Sequence, residues 1–227
     1  MGLASSPAQF QRCMDTMISG LTGVAAYLDD LIVTGDTPDI HLKNLDCVLK
    51  RLKEYGFHIK LEKCEFFKRS VEYLGHIIDK EGKRPSESSV DAIKKLPKPA
   101  NLSELQAFLG KINYYGRYIP NLADKASALY SLLKKNAQYS WSDGCEKSFQ
   151  ILKKSVIDAT KLAHFDDRKP IILATDASQY GIGAVLLQLV DGAEVPIAHA
   201  SKTLTSAQKR YSQIEKVERE TLSSFMG

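Results

Sequence analysis

Val24-Ala25-Ala26-Tyr27-Leu28-Asp29-Asp30-Leu31-Ile32-Val33-Thr34 sets two short apolar runs, residues 24–28 and 31–34, around two adjacent carboxylates. The runs are rich in β-branched and apolar side chains and so read as strands. Their tight junction makes an antiparallel hairpin with Asp29 and Asp30 at its bend. Two carboxylates so placed repel each other, and a divalent cation is the economical compensation beside an apolar core. An ordinary Asp-Asp turn is the plainer alternative.

Working outward, Ser6-Pro7 reads as an N-cap followed by Pro at the first helical position, and Phe10, Met14, Met17 and Ile18 then recur at helical spacing until Gly20. On the other side, Leu45, Val48, Leu49 and Leu52 mark a helix that Gly56 stops, and residues 57–61 and 72–79 suggest further strands. The first 80 or so residues are thus α+β.

From residue 85 to 135 the pattern is helical. Val90 and Ile93 precede a Leu96-Pro97-Lys98-Pro99 break. A helix capped at Ser103 carries Leu105, Phe108, Leu109 and Ile112, and another begins near Asn121 with Leu122, Ala126, Leu129 and Leu133. A further helix is predicted over residues 143–157. Residues 171–175, 182–189 and 195–199 read as strands, with Asp191-Gly192 as a turn, and Thr205 and Gln208 have the spacing of a capping box. A second α/β unit therefore starts near Pro170.

With 227 residues, 44% hydrophobic and 26% charged, the composition is that of a globular chain and excludes disorder and collagen. No apolar run approaches the roughly 18 to 20 residues of a membrane helix, and no signal peptide is legible. A soluble intracellular protein, cytoplasmic or nuclear and without a membrane partner, is expected. Cysteines at 13, 47, 64 and 145 form no C-x-x-C, and the histidines form no H-x-x-x-H, so neither a disulfide framework nor a zinc site is indicated. Residues 1–40 hold one basic and five acidic side chains, 41–84 eleven and seven, and 85–135 eight and four. An acidic cluster followed by a basic stretch suits a metal site beside a polyanion track, and a solvated helical surface gives the same count.

Gly2-Leu3-Ala4-Ser5-Ser6-Pro7-Ala8-Gln9-Phe10-Gln11, the Y-L-D-D hairpin, Glu62-Lys63-Cys64-Glu65-Phe66 and Val71-Glu72-Tyr73-Leu74-Gly75-His76 stand in the order and spacing of reverse transcriptases of gypsy-type LTR retrotransposons. The resemblance continues through residues 108–115, Trp141-Ser142-Asp143, Thr175-Asp176-Ala177-Ser178 and Tyr211-Ser212-Gln213-Ile214-Glu215-Lys216, and so covers essentially the whole chain. It implies an α+β protein: the C-terminal half of a polymerase palm over residues 1–82, a helical thumb over 83–135, a connection over 136–169, and the N-terminal part of a ribonuclease H-like domain over 170–227.

The activity so implied is RNA-directed DNA polymerisation with ribonuclease H, both two-metal phosphoryl transfers using Mg²⁺ or Mn²⁺ on an RNA/DNA hybrid or DNA duplex, with deoxynucleoside triphosphates as substrates. By the same resemblance Asp29, Asp30, Asp176 and Glu220 are catalytic, with Asp29, Asp30 and Asp176 binding metal. Gly2, Gln11, Tyr27 and Lys63 contact the nucleotide, and Tyr73, Leu74 and Gly75 position the primer end. A simple surface lysine is the alternative for Lys63. The tail departs from the family's I-E-K-E-x-L as if three residues were inserted, leaving Glu215, Glu218 and Glu220 as competitors to face Asp176.

The family's upstream palm aspartate, its fingers and its later ribonuclease H acids are not among residues 1–227, so a chain truncated at both ends and inactive alone is expected. A catalytically dead nucleic-acid-binding remnant and a non-functional transposon fragment are the alternatives. Met1-Gly2-Leu3-Ala4-Ser5-Ser6 also satisfies the loose myristoylation pattern, although one acyl chain would anchor only marginally.

Overall fold

The computed structural model describes residues 6–134, 137–205 and 207–211, and divides into two compact units, Met1–Lys68 and Arg69–Gly227. In the first, helix α1 (Ser6–Ile18) precedes the hairpin of β1 (Val24–Tyr27) and β2 (Asp30–Val33), and helix α2 (Pro38–Glu54) follows. Met14 and Met17 of α1 are buried with Val48 and Leu52 of α2, the spacing that a shared helical face requires. Val24, Ala26, Leu31 and Val33 pack against that cluster. Strand alternation then turns Ala25 and Tyr27 outward.

Helix α2 is built as its sequence dictates. The Thr37 side chain accepts from the Ile40 amide at 3.2 Å with Pro38 in the first turn. At the other end Gly56 takes φ +73° and the Phe57 amide returns to the Leu52 carbonyl at 2.9 Å, which satisfies an orphan carbonyl. The strand predicted over 57–61 does not form. Among the described residues they have no partner strand, and the segment ends in a 3₁₀ turn over Leu61–Lys63, with Leu61 exposed. Apolar alternation without a ladder to join does not make a strand.

The second unit opens with a three-stranded antiparallel sheet, β3 (Ser70–Tyr73), β4 (His76–Asp79) and β5 (Gly82–Pro85). The run 72–79, predicted as one strand, is broken by Leu74 and Gly75, whose φ values of +50° and +70° make a two-residue hairpin turn pairing Tyr73 with His76. Helices α3 (Glu87–Lys94), α4 (Leu102–Tyr114), α5 (Leu122–Lys125), α6 (Ser127–Leu132) and α7 (Asp143–Ile157) follow. The cap of α4 is Asn101, not Ser103: its side chain accepts from the Glu104 amide at 2.9 Å, while Glu104 accepts from the Ala100 amide at 2.8 Å. The helix expected from Asn121 is split in two at Ala126.

Leu105, Phe108, Leu109 and Ile112 all point into the main core, where Ile93, Leu129, Phe149, Leu152 and Val156 meet them and the Phe108 and Phe149 rings lie 4.7 Å apart. Strands β6 (Ile171–Ala177), β7 (Gly181–Val190) and β8 (Ala193–Thr203) form an antiparallel meander, joined at Asp191-Gly192 by residues with φ +52° and +80°. Gly181 and Gly183 leave one face of β7 without side chains, and α5 lies there: a Cβ on Gly181 would meet that of Ala123 at 2.7 Å, and one on Gly183 would collide with Asn121. The Ala123 amide also donates to the Ser201 hydroxyl at 2.9 Å. The capping box at Thr205 and Gln208 closes reciprocally, at 2.8 and 3.3 Å, on a 3₁₀ turn over Gln208–Arg210.

Candidate functional site

In the first unit the predicted residues gather around the β1–β2 bend. Tyr27 pairs with Asp30 across the hairpin, and Leu28 takes φ +52°, the positive value that the first central position of a primed turn requires. A leucine there is strained, and the turn is held from outside. Gln11 of α1 does this with both ends of its amide: its Oε1 accepts from the Leu28 amide at 2.6 Å, and its Nε2 donates to the Ala26 carbonyl at 3.2 Å and to Asp15 Oδ1 at 2.7 Å.

Asp29 and Asp30 are thereby presented to solvent on a fixed backbone. Among the described residues neither carboxylate has an ion pair or a side-chain hydrogen bond, so their oxygens are available. Two hard oxygen donors suit Mg²⁺ or Mn²⁺, since Mg²⁺ takes one or two protein carboxylates and completes its octahedron with water and substrate phosphate. Among the described residues no group of three or more His, Cys, Asp or Glu side chains could hold an ion, so a pair of carboxylates is the largest contribution at this bend.

Tyr27 is 53% exposed beside the carboxylates, its ring free to meet a planar ligand. Lys63 is exposed on the 3₁₀ turn over Leu61–Lys63. Gly2, Glu215, Glu218 and Glu220 lie outside the described residues.

In the second unit, Tyr73, Leu74 and Gly75 form the β3–β4 turn, and the aromatic end of α4 encloses it. The Tyr114 hydroxyl donates to the Leu74 carbonyl at 2.6 Å, and the His76 ring stacks on Tyr114 at 5.3 Å. Burial first, then the charges of Arg117 and Lys83, push the His76 pKa down, and burial pushes that of Tyr118 up to about 12. The imidazole is therefore neutral and the phenol protonated near pH 7, and the Tyr118 hydroxyl shares a hydrogen bond with His76 Nδ1 at 3.1 Å whose sense follows the imidazole tautomer.

Asp176 sits near the end of β6 opposite Gly183, exposed and without a recorded side-chain partner among the described residues. Two residues on, Ser178 organises the turn into β7: its hydroxyl donates to Asp124 Oδ1 at 2.5 Å and accepts from the Tyr180 and Gly181 amides at 3.0 and 2.9 Å. Sequence reasoning missed Asp15 and Asp124 as parts of these arrangements. Their partners, Gln11 and Ser178, lie 4 and 54 residues away, whereas His76 and Ser178 stand inside the V-E-Y-L-G-H and T-D-A-S motifs.

The reverse transcriptase (RNA-dependent DNA polymerase) family matches residues 1–78, and the RNase H-like domain found in reverse transcriptase matches residues 141–223. The retrovirus-related Pol polyprotein from transposon 412 of Drosophila melanogaster is 38% identical over 94% of this chain and 18% of its own length. The transposon Tf2-3 polyprotein of Schizosaccharomyces pombe is 32% identical over 95% of this chain and 16% of its own. The chain thus spans less than a fifth of these two relatives.

Among solved structures, the foamy viral protease-reverse transcriptase in complex with RNA/DNA hybrid matches with TM-score 0.78 and 26% identity, over 99% of this chain and 30% of that one. A form in complex with double-stranded DNA gives TM-score 0.79 and 26% identity, over 96% and 38%. Among the described residues no helix is long and apolar enough to cross a membrane.

Proposed function

This chain belongs to the reverse transcriptase and ribonuclease H region of LTR-retrotransposon Pol polyproteins, and from that premise we propose that it serves RNA-directed DNA synthesis and hydrolysis of the RNA strand of a hybrid. The observation that carries this reading is the Y-L-D-D bend, whose two carboxylates, unpaired among the described residues, are held on one fixed turn by Gln11. In this reading Asp29 and Asp30 hold divalent ions, and Asp176 is the first carboxylate of the nuclease site, with a glutamate of the tail as its partner. Bound Mg²⁺ or Mn²⁺ would supply the positive charge that activates an attacking hydroxyl or water and neutralises the leaving oxygen.

The chain's own residues bind and orient. Gln11 fixes the direction of the carboxylates, Tyr27 offers a face to the incoming nucleotide with Gly2 and Lys63 as further contacts, and Tyr73-Leu74-Gly75 sets the primer end. The basic helical stretch holds the phosphate backbone of hybrid or duplex. Residues 1–82 are assigned to the palm, 83–135 to the thumb, 136–169 to the connection and 170–227 to the ribonuclease H part.

Two measurements on the 227-residue chain test this. Mn²⁺ should broaden the backbone resonances of residues 27–31, and Asp29→Asn with Asp30→Asn should abolish the effect. Hybrid binding, followed by fluorescence anisotropy, should weaken with salt. Engagement of about four phosphates gives a slope of about 3.6 in log Kd against log salt, or roughly 150-fold between about 50 and 200 mM. Mn²⁺ broadening unchanged in the double variant would refute the metal assignment. Affinity independent of salt would refute the nucleic-acid track.

A further inference from the structure

The β3–β4 turn is held on both of its central carbonyls. The Leu74 carbonyl accepts from the Tyr114 hydroxyl at 2.6 Å, and the Gly75 carbonyl accepts from the Ser86 amide at 2.9 Å. On its flank the His76 ring is stacked on Tyr114, meets Tyr115 edge-on at 5.5 Å and shares a hydrogen bond with Tyr118 at 3.1 Å. Tyr115 itself stands so close that a Cβ on Gly75 would lie 2.8 Å from its hydroxyl. A two-residue hairpin turn ordinarily shows its carbonyls to water; this one gives them to α4 and to the residue preceding α3.

We propose that Tyr114 and Tyr118 are positioning residues for the Tyr73-Leu74-Gly75 turn, fixing the backbone on which the primer terminus rests. The proposal rests on the primer-positioning reading above. The elements are independent in sequence: Tyr114 lies 40 residues from Leu74 and Tyr118 lies 42 from His76, so nothing local forces them together. Burial lowers the His76 pKa and raises that of Tyr118, so neither ring of the second bond is charged near pH 7. The arrangement also separates two jobs within one cluster. Tyr114 is half exposed with its ring on His76, whereas Tyr118 is buried in the main core.

Tyr114→Phe is the discriminating variant, because it removes the bond to Leu74 and keeps the stacking. Ser86 amide exchange reports the docked turn without any nucleic acid, and it should accelerate about fivefold, the equivalent of one ordinary hydrogen bond. A hybrid carrying 2-aminopurine at the 3′ end of its DNA strand reports the terminus. The wild-type chain should change its fluorescence on binding, and Tyr114→Phe should lose at least half of that change while binding with Kd within twofold and keeping the response of an internal 2-aminopurine. Tyr118→Phe should reduce the terminal response in the same direction.

A wild-type terminal response in Tyr114→Phe at unchanged affinity would overturn the proposal, as would unchanged Ser86 exchange. If the wild-type chain binds hybrid but gives no terminal response, the primer-positioning reading itself fails and the proposal with it. Accelerated Ser86 exchange would then show that the tyrosine clamp still holds the turn.

Discussion

Adding one methyl group at Gly75 asks two separate questions of the molecule, and a second glycine lets them be answered apart. Gly75 has φ +70° and Gly192, in the same unit, φ +80°. Placing an L side chain in that region costs roughly 1–2 kcal/mol, and the alanine's stiffer unfolded chain returns about 0.4–1 kcal/mol. Those terms are common to both sites. They differ in space: nothing lies within 4 Å of a Cβ at Gly192, whereas one at Gly75 would sit 2.8 Å from the Tyr115 hydroxyl and 2.9 Å from the Ser89 hydroxyl.

Neither neighbour of Gly75 can move cheaply. Tyr115 is 7% exposed with its ring edge-on to His76 and Tyr114, and Ser89 is tied to Ser86 at 2.9 Å. Overpacking of this kind costs about 1–3 kcal/mol. Gly192→Ala should therefore destabilise the unit by about 1 kcal/mol and Gly75→Ala by about 2–4 kcal/mol. Urea unfolding followed through Trp141, the single tryptophan and part of the same unit, measures both. Equal losses for the two variants would show that the tyrosines do not press on the turn, and the packing argument would be lost.

Stability of the second unit should fall as pH drops from about 7.5 to 5.5. His76 is held below its ordinary value by burial, Arg117 and Lys83, and His199 by burial and Lys125. With folded pKa values depressed, the unfolded chain takes up protons first, so stability is complete above the ordinary histidine value of 6.5 and is lost as pH falls through the folded values. A Trp141-monitored urea midpoint that is flat over this range, or an equal slope in a His76→Gln, His199→Gln chain, would contradict the assignment. In the first unit, Gln11→Met keeps the shape of the side chain and removes its hydrogen bonds to the bend. Leu28 amide exchange should then accelerate about tenfold, at a cost of about 1–2 kcal/mol, and unchanged exchange by NMR would mean that α1 does not hold the turn.

The parts of the fold legible in sequence are those in which a local rule and the tertiary structure agree. Leu105, Phe108, Leu109 and Ile112 repeat at helical spacing and are all buried. Asp191-Gly192 reads as a turn because these residue types tolerate the positive φ that both adopt. The Y-L-D-D bend was placed by its carboxylates, which interrupt an apolar run.

To periodicity alone the Leu74-Gly75 turn is hidden inside the run 72–79, because a leucine at φ +50° pays a strain that no local pattern announces; only the resemblance marks a loop there. Residues 57–61 failed for the opposite reason: the local pattern is present and the partner is not. The role of Gln11 at the bend, the Tyr114 bond to Leu74 and the Asp124 bond to Ser178 join positions 17 to 54 residues apart, and periodicity carries no information about them.

The paired glycines of β7 bear on how such a chain can be inherited. Gly181 and Gly183 form a slot fitted to the backbone and short side chains of α5, so Asn121, Ala123, Gly181 and Gly183 are one lock written at two places in the gene. Recombination between related genes shuffles coding segments without regard to such locks. A crossover falling between codons 123 and 181 delivers one half of it from each parent, and a bulkier residue from either side expels the helix from the sheet. Recombinants that survive must therefore exchange this stretch whole or draw on parents that share the same four residues.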